Sequence, residues 1–127
     1  IEQRYAGHAT QAGVVATQTR AGAMQGRYTI VVDDDIDIYD LEDVIWAVCT
    51  RSRPDEMDFI KKAWSSDTDP TIRKPALSLT TSRAIIYAVK PWEWKDEFPK
   101  VDLASVETRT EVFKRWKNLF GERWRTI

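Results

Sequence analysis

With 127 residues, the chain is long enough for one small domain and too short for two. Its 31% charged and 43% hydrophobic residues are an ordinary globular balance. The formal net charge of −1 produces no field that would attract nucleic acid or an acidic membrane surface, so we expect neither as a partner.

The apolar runs and the cysteine count restrict the class of protein further. The apolar runs, such as residues 30–32 and 84–89, are far too short to span a bilayer, and no signal peptide is visible. The single cysteine, Cys49, excludes an internal disulfide framework and a zinc site built from several cysteines. We therefore expect a soluble protein of the reducing cytoplasm.

Two features are unusual for a free-standing domain. The chain begins at Ile1 rather than at a methionine, and it carries six tryptophans. Tryptophan is enriched at protein interfaces, and so much aromatic area is hard to bury in one small core. We expect a piece of a larger, oligomeric protein; the alternative is a tryptophan-rich surface without a partner.

A helical pattern opens the chain over residues 2–25, with Gly26 as its stop. Small residues recur along it at steps of three and four, which would let another backbone approach closely; they are Ala6, Ala9, Gly13 and Ala16. Such a helix is typical of a connector between domains, and equally of a well-packed core helix.

The next elements alternate between strand and helix. Residues 27–33 are β-branched and apolar, which predicts a buried strand. Asp40 is a good N-cap for a helix whose predicted apolar face comprises Leu41, Val44, Ile45, Val48 and Cys49. Pro54 predicts the start of a further short helix, whose predicted inward side chains are Met57, Ile60 and Trp64.

The second half contains one long aperiodic segment. Residues 65–78 show no periodicity, which predicts a functional loop or disorder. Residues 83–89 resemble a strand, and residues 91–99 are irregular, aromatic and acidic. Ser105 is predicted to cap a final amphipathic helix that ends near residue 124, with an apolar stripe of Val106, Phe113, Trp116, Phe120 and Trp124. The fold class is therefore α/β, a small mixed sheet flanked by helices.

An acidic run follows the first strand. Asp33, Asp35 and Asp37 alternate as in an EF-hand loop. However, the sixth position holds Ile38 instead of glycine and the twelfth holds Val44 instead of glutamate, so that interpretation fails. A magnesium site remains open, but a solvated acidic turn with a helix cap is better supported.

Other groups that could carry chemistry lack the partners they would need. His8 has no second histidine or cysteine near it, and Cys49 lies on a predicted apolar face, so both are interpreted as structural. No glycine-rich phosphate loop is present. The charged residues of segment 91–99 are interpreted as surface charge around tryptophans; they are Glu93, Lys95, Asp96 and Glu97. The residues alone indicate no catalytic, cofactor-binding or metal-binding set.

Several runs nevertheless resemble one family. YAGHATQAG, IVVDDDIDIYDLEDVIWAVCTR, FIKKAWSSDTDP, SRAIIYAVKP and PWEWKDEFP follow the same order as in the C-terminal region of UbiD-type decarboxylases. The likeness covers residues 5–98, and the acidic run with its following helix is the most specific part.

This resemblance implies a reversible, non-oxidative decarboxylase acting on an aromatic, heteroaromatic or α,β-unsaturated carboxylic acid. It implies prenylated FMN with a divalent metal (Mn or Mg) and potassium, bound with the catalytic Arg-Glu-Glu set by an upstream domain. Residues 1–26 would connect to that domain, and residues 27–127 would form the C-terminal domain. Its helix over residues 105–124 would make homo-oligomer contacts, in a dimer or hexamer, through Phe113, Trp116, Phe120 and Trp124.

The resemblance also implies a substrate pocket. Where the family commonly has Ser/Thr-Pro-Leu/Ile-Asp-Pro, this chain has Ser66, Asp67, Thr68, Asp69 and Pro70. Ser66 and Thr68 would face the substrate, with Trp64 beside them. Asp67 and Thr68 make the wall more polar than usual, and Tyr87 stands where the family tends to have Asp. The rival hypotheses are a non-catalytic α/β interaction module and a small accessory subunit.

Overall fold

The computed structural model describes residues 1–72, 79–102 and 104–120, together with all side chains there except those of residues 25 and 117–120. Three strands form a mixed sheet in the order β1-β3-β2. The strands are β1 (Tyr28–Val32), β2 (Asp58–Trp64) and β3 (Thr80–Ala88), with β1 parallel and β2 antiparallel to the central β3. The predicted α/β class with a small mixed sheet is thereby confirmed.

The sheet is packed on both faces. Helix α1 (His8–Gln18) covers one face, where Val31 and Ile85 are buried. Helix α3 (Leu41–Arg51) covers the other face at the carboxyl ends of β1 and β3, where Val32 and Ala88 pack with Ala47. Because β3 lies in the centre of the sheet and helices pack on both of its faces, it is the most buried strand, as its apolar residues 84–88 indicate.

The N-terminal helix is not continuous, so the prediction of one helix over residues 2–25 is wrong. Helix α1 ends at Gln18, and helix α2 (Arg20–Gln25) begins after Thr19, whose backbone is extended. The Thr19 side chain accepts a hydrogen bond from the Gly22 amide at 3.3 Å. A threonine hydroxyl that caps a following turn competes with helix continuation, which explains the break.

The predicted small-residue seam is only partly correct. Ala9 and Gly13 are buried with Thr17, whereas Ala6 and Ala16 are exposed. A methyl group added at Gly13 would lie 2.6 Å from Cγ2 of Ile85, so the glycine permits α1 to touch the sheet closely. Helix α1 is thus a core helix of this domain, and its role as a connector stays a prediction.

Helix α3 begins as predicted but packs through a different face. The Asp40 carboxylate accepts a hydrogen bond from the Glu42 amide at 2.9 Å. The buried face consists of Ala47 and Arg51, flanked by partly buried Val44, Trp46 and Val48. Leu41, Ile45 and Cys49 are exposed, so the prediction that they face the core is wrong. The reason is electrostatic, since the acidic turn draws Arg51 inward and fixes the rotation of the helix.

The short helix predicted from Pro54 begins there but ends after one turn, so its predicted extent to Trp64 is wrong. Pro54–Glu56 form one 3-10 turn, and β2 follows it. A bulge between Ile60 and Ala63 breaks the register with β3, and Lys62 takes a left-handed conformation there, with φ of 56°. The partly buried residues Met57, Ile60 and Ala63 are spaced by three positions, which imitates a helical pattern, whereas Trp64, predicted to face inward, is exposed.

The C-terminal helix α4 (Val106–Phe120) begins as predicted. The Ser105 hydroxyl accepts a hydrogen bond from the Thr108 amide at 3.2 Å. The backbone at Trp116 departs from helical angles, so the helix is kinked there. The Trp116 side chain is 47% exposed and Phe113 is partly buried. The Phe120 side chain and Trp124, which complete the predicted stripe, lie outside the described residues.

None of the described helices is long and apolar enough to cross a membrane.

Candidate functional site

The turn after β2 brings two hydroxyl groups together. Ser66 is buried and Thr68 is exposed, and their hydroxyl oxygens lie 2.9 Å apart. The Ser66 hydroxyl also accepts from the Thr68 amide at 3.3 Å and lies 3.3 Å from a carboxylate oxygen of Asp67. The two residues that the resemblance assigns to a pocket wall therefore form one polar pair.

This pair retains unused hydrogen-bonding capacity on its exposed side. A hydroxyl has one proton to donate and two lone pairs. If Ser66 donates to Asp67, then Thr68 donates to Ser66 and keeps its lone pairs. If Ser66 donates to Thr68, then the Thr68 proton remains available. In either arrangement Thr68 offers a polar contact to a molecule outside the turn.

The far side of the turn is held by Asp69. Its carboxylate accepts from the Thr71 amide at 2.9 Å, the Thr71 hydroxyl at 2.7 Å, the Ser65 hydroxyl at 3.1 Å and an Arg27 guanidinium nitrogen at 2.5 Å. The hydrogen bonds from Thr71, supported by those from Arg27 and Ser65, hold the pKa of Asp69 below its ordinary value. Asp69 is thus a structural carboxylate of the turn. Trp64, Asp67 and Pro70 lie exposed beside it.

The near side of the turn is held by Arg83 of β3, which is buried. Its guanidinium donates to the carbonyl of Trp64 at 2.7 Å, at the end of β2. It also donates to the carbonyls of Gly22, Ala23 and Gly26, at the end of α2. A cation at the C-terminal end of a helix is favourable, so Arg83 joins the end of α2 to the start of the turn.

The acidic turn after β1 is a second charged cluster. Arg51 bonds both carboxylate oxygens of Asp35, at 2.7 and 2.9 Å, and one oxygen of Asp33 at 3.1 Å. Asp33 also accepts from the Lys90 amide at 2.7 Å and from the Gln3 side chain at 2.8 Å. Lys90 reaches Asp35 through its ammonium group at 2.7 Å. These carboxylates are occupied by cations of the chain itself.

The helix cap that the preferred interpretation assigns to the acidic run is present, but the turn is not solvated throughout, because Asp33 is buried. Asp40 caps α3, and Asp43 accepts from the Asp37 amide at 2.7 Å. The hydrogen bonds from Arg51 hold the pKa of Asp35 well below its usual range, against the effect of burial. Among the described residues, no group of three or more His, Cys, Asp or Glu side chains is arranged to hold a metal ion.

Three further features are structural contacts. His8 stacks on Tyr5 with ring centroids 4.4 Å apart. In segment 91–99, Lys95 lies 4.4 Å from the centre of the Trp92 ring and donates to the carbonyl of Gln3 at 3.2 Å. The Tyr87 hydroxyl donates to Asp58 at 2.6 Å, and burial together with this carboxylate raises the pKa of Tyr87 to about 12.

Comparison with known proteins identifies the family. Residues 1–88 match the family described as the 3-octaprenyl-4-hydroxybenzoate carboxy-lyase C-terminal domain. The chain belongs to the UbiD family. A curated relative, anhydromevalonate phosphate decarboxylase of Archaeoglobus fulgidus, is 38% identical over 92 residues, which cover 72% of this chain and 20% of the relative.

Solved structures of the same class share the fold. The UbiD-class enzyme HmfF from Pelotomaculum thermopropionicum, in complex with FMN, is 25% identical with a TM-score of 0.68, covering 85% of this chain and 23% of that one. The vanillic acid decarboxylase of Sedimentibacter hydroxybenzoicus in its closed form is 26% identical with a TM-score of 0.69, covering 91% and 25%. This UbiD-family chain therefore spans about a fifth to a quarter of the length of these relatives.

The described residues of this UbiD-family domain do not fit a complete cofactor site. They include no glycine-rich phosphate loop and no cluster of metal ligands. The buried cations Arg51 and Arg83 already use their terminal nitrogens on carboxylates and carbonyls of this chain. No step of a reaction can be assigned to a flavin held by these residues.

Sequence reasoning missed the arginines that build the site. Arg27, Arg51 and Arg83 each join segments that are far apart in the chain. One signal was present in the sequence, because Arg83 directly precedes the apolar half of β3, residues 84–88. An arginine at such a position requires several acceptors around it, and the sequence alone does not reveal which.

Proposed function

We propose that this chain is the C-terminal part of a UbiD-type enzyme that catalyses reversible, non-oxidative decarboxylation. The substrate is an aromatic, heteroaromatic or α,β-unsaturated carboxylic acid. The observation that carries the proposal is the match of residues 1–88 to the C-terminal domain of a carboxy-lyase family. It is supported by relatives whose names describe decarboxylases of vanillic acid, 3,4-dihydroxybenzoic acid and anhydromevalonate phosphate.

The part that we assign to this chain is one wall of the substrate pocket. Ser66 and Thr68 form a hydroxyl pair that keeps a free polar contact, and both ends of their turn are held by arginines. Such a preorganised polar surface suits a substrate that carries a hydroxyl, a ring nitrogen or another polar substituent. Trp64, Asp67, Asp69 and Pro70 would complete or shape this wall.

We assign the cofactor to the rest of the protein. Prenylated FMN with a divalent metal and potassium would be bound by an upstream domain, because the described residues here supply no such site. Solved structures that resemble this chain are complexes with FMN or with prenylated FMN. Helix α4 would contribute to a homo-oligomer through Phe113 and Trp116, together with Phe120 and Trp124.

The proposal is tested by comparing two polypeptides. The complete protein, purified with prenylated FMN, should release CO2 from at least one acid of the proposed classes. The 127-residue chain alone should neither retain flavin at a one-to-one ratio nor release CO2. Inactivity of the flavin-loaded complete protein on all three acid classes would favour a non-catalytic interaction module instead. Turnover by the isolated chain would contradict the assignment of the catalytic groups to an upstream domain.

A further inference from the structure

One buried guanidinium organises the approach to the hydroxyl pair. Nη1 of Arg83 donates to the carbonyls of Gly22 at 3.1 Å and Gly26 at 2.9 Å. Its Nη2 donates to the carbonyls of Ala23 and Trp64, the latter at 2.7 Å. All four acceptors are backbone carbonyls. The side chain therefore fixes the relative position of two chain segments, the end of α2 and the end of β2.

The Trp64 carbonyl is close to the candidate pocket wall. It precedes Ser65, whose amide donates to the carbonyl of Leu79 at 2.8 Å, and lies two residues before Ser66. A shift of the Trp64 carbonyl would move the Ser66 hydroxyl, and with it Thr68, whose side chain is 2.9 Å away. Arg83 thus sets the starting point of the turn without lying among the exposed residues of the wall.

The other end of the turn has an independent support. Arg27, which precedes β1, binds Asp69 at 2.5 Å, and Asp69 binds the Thr71 amide at 2.9 Å. The hydroxyl pair lies between these two supports and is bonded mainly to itself. Its orientation consequently depends on the positions of both ends of the turn.

We propose that Arg83 is a positioning residue for substrate discrimination, acting through Trp64 on the Ser66–Thr68 hydroxyl pair. This inference rests on the proposed function. An arginine is required because its planar fork can reach four acceptors at fixed angles, whereas a lysine ammonium is a single point with three donors. Loss of the fork removes the Arg83 donor from the carbonyls of α2 or from the carbonyl of Trp64, and the start of the turn can then shift. Small displacements of positioning groups have large effects on reaction rates.

The test is a double-mutant cycle in the complete holoenzyme. Arg83→Lys, Thr68→Val and the combined variant are compared for the ratio of kcat/KM between a hydroxylated acid and its apolar analogue. Each single change should lower this ratio by roughly tenfold, the contribution of one neutral hydrogen bond. The combined variant should lower it no further than Thr68→Val alone, because both act through the same contact. Arg53→Lys, at an exposed arginine, should leave the ratio unchanged.

The outcomes separate this inference from the proposed function. If Thr68→Val lowers the ratio and Arg83→Lys does not, then Arg83 has only a structural role and the inference is overturned. An additive loss in the combined variant overturns it too, since a general loosening of the fold would act independently of Thr68. If Thr68→Val itself has no effect, the pocket assignment in the proposed function is wrong.

A second measurement decides the matter if Arg83→Lys does not fold. Hydrogen exchange of the wild-type holoenzyme reports which segments open together. The hydrogen-bonded amides of Ser65, Asp69 and Ile72 should exchange within about threefold of the amides of Ala23 and Gly26, because one guanidinium joins both segments. Exchange of the turn on the order of a hundredfold faster than that of α2 would overturn the inference.

Discussion

The guanidinium of Arg51 makes two parallel hydrogen bonds to the carboxylate of Asp35, with nitrogen–oxygen distances of 2.7 and 2.9 Å. The Arg51 side chain is only 2% exposed, whereas that of Asp35 is 45% exposed. The pair therefore runs from the core to the surface and determines which face of α3 packs on the sheet. It also explains why the acidic turn is compatible with a folded domain, since the chain supplies its own cation.

Removal of this cation should be strongly destabilising. In Arg51→Met, the buried Asp33 carboxylate loses its charged partner, and breaking a buried pair in this way typically costs about 3–5 kcal/mol. Urea unfolding of the complete protein should show the loss. Arg53→Met is the matched control, because the ion pairs of Arg53 with Asp55 and Glu56 are exposed, and such pairs contribute about 0–1 kcal/mol. Equal effects of the two changes would contradict this account.

Asp35 should contribute to the acid sensitivity of the fold. The Arg51 hydrogen bonds lower the pKa of Asp35, so the folded state binds this proton more weakly than the unfolded chain does. The stabilisation is therefore present above the unfolded pKa of about 3.9 and is lost as the pH falls through the folded pKa. Asp35→Asn should lower the Tm at pH 7, and the difference between its Tm and that of the wild type should shrink as the pH falls below about 4. If the Tm of Asp35→Asn and the Tm of the wild type change in parallel with pH, Asp35 makes no such contribution. Asp55→Asn is the control, because Asp55 forms an exposed ion pair.

The contact between α1 and the sheet should not tolerate a larger residue. In Gly13→Ala, the new methyl group would lie 2.6 Å from Cγ2 of Ile85 and 3.3 Å from Cγ2 of Val31, so the helix must move away. Overpacking of this kind costs about 1–3 kcal/mol, against a gain of about 1 kcal/mol in helix propensity. We expect a lower Tm on balance. Ala16→Ser is the control on the exposed side of α1, and it should change stability by less than about 0.5 kcal/mol. An unchanged or raised Tm in Gly13→Ala would show that α1 packs less closely on the sheet than described.

Truncation of the half-exposed Trp116 should weaken the contacts that we propose helix α4 makes with another subunit. The Trp116 side chain is 47% exposed on this chain, and buried aromatic anchors dominate many interfaces with contributions of about 2 kcal/mol or more. Trp116→Ala should shift the complete protein toward smaller species in analytical ultracentrifugation. Glu111→Ala, which is also exposed on α4, should leave the distribution unchanged. Identical sedimentation of wild type and Trp116→Ala would remove this residue from the interface.

Much of the fold could be predicted from local signals, and the errors have local physical causes. The strand before the acidic run and the Asp40 and Ser105 caps were predicted correctly because their determinants lie within a few residues. The apolar spacing over residues 58–64 predicts a helix, because a bulge at Lys62 shifts the alternation of apolar side chains. The break at Thr19 depends on the capping hydroxyl, which the spacing of small residues does not reveal.

The candidate site was predictable in position but not in construction. The resemblance selected the turn that contains Ser66 and Thr68, and the structure shows that their hydroxyls are bonded to each other. The supports from Arg27 and Arg83 could not be predicted, because Arg27 pairs with Asp69 and Arg83 joins Trp64 to the end of α2 in an arrangement that only the folded sheet creates. Exposure of Cys49 likewise follows from the rotation that Arg51 imposes on α3.

The role of this chain in substrate recognition depends on the hydroxyl of Thr68. Thr68→Val keeps the shape of the side chain, and Ser66 still has Asp67 and the residue 68 amide as partners, so the turn should be preserved. Thr110→Val, at an exposed site on α4, is the control for loss of a threonine hydroxyl elsewhere.

The decisive measurement is the ratio of kcat/KM for a hydroxylated or heteroaromatic acid to that for its apolar analogue, in the complete holoenzyme. A site that bonds a polar substituent discriminates against a substrate lacking it, so Thr68→Val should lower this ratio roughly tenfold or more. Thr110→Val should leave it at the wild-type value. An unchanged ratio in Thr68→Val would contradict the assignment of this turn to the substrate pocket and would make it a surface connection.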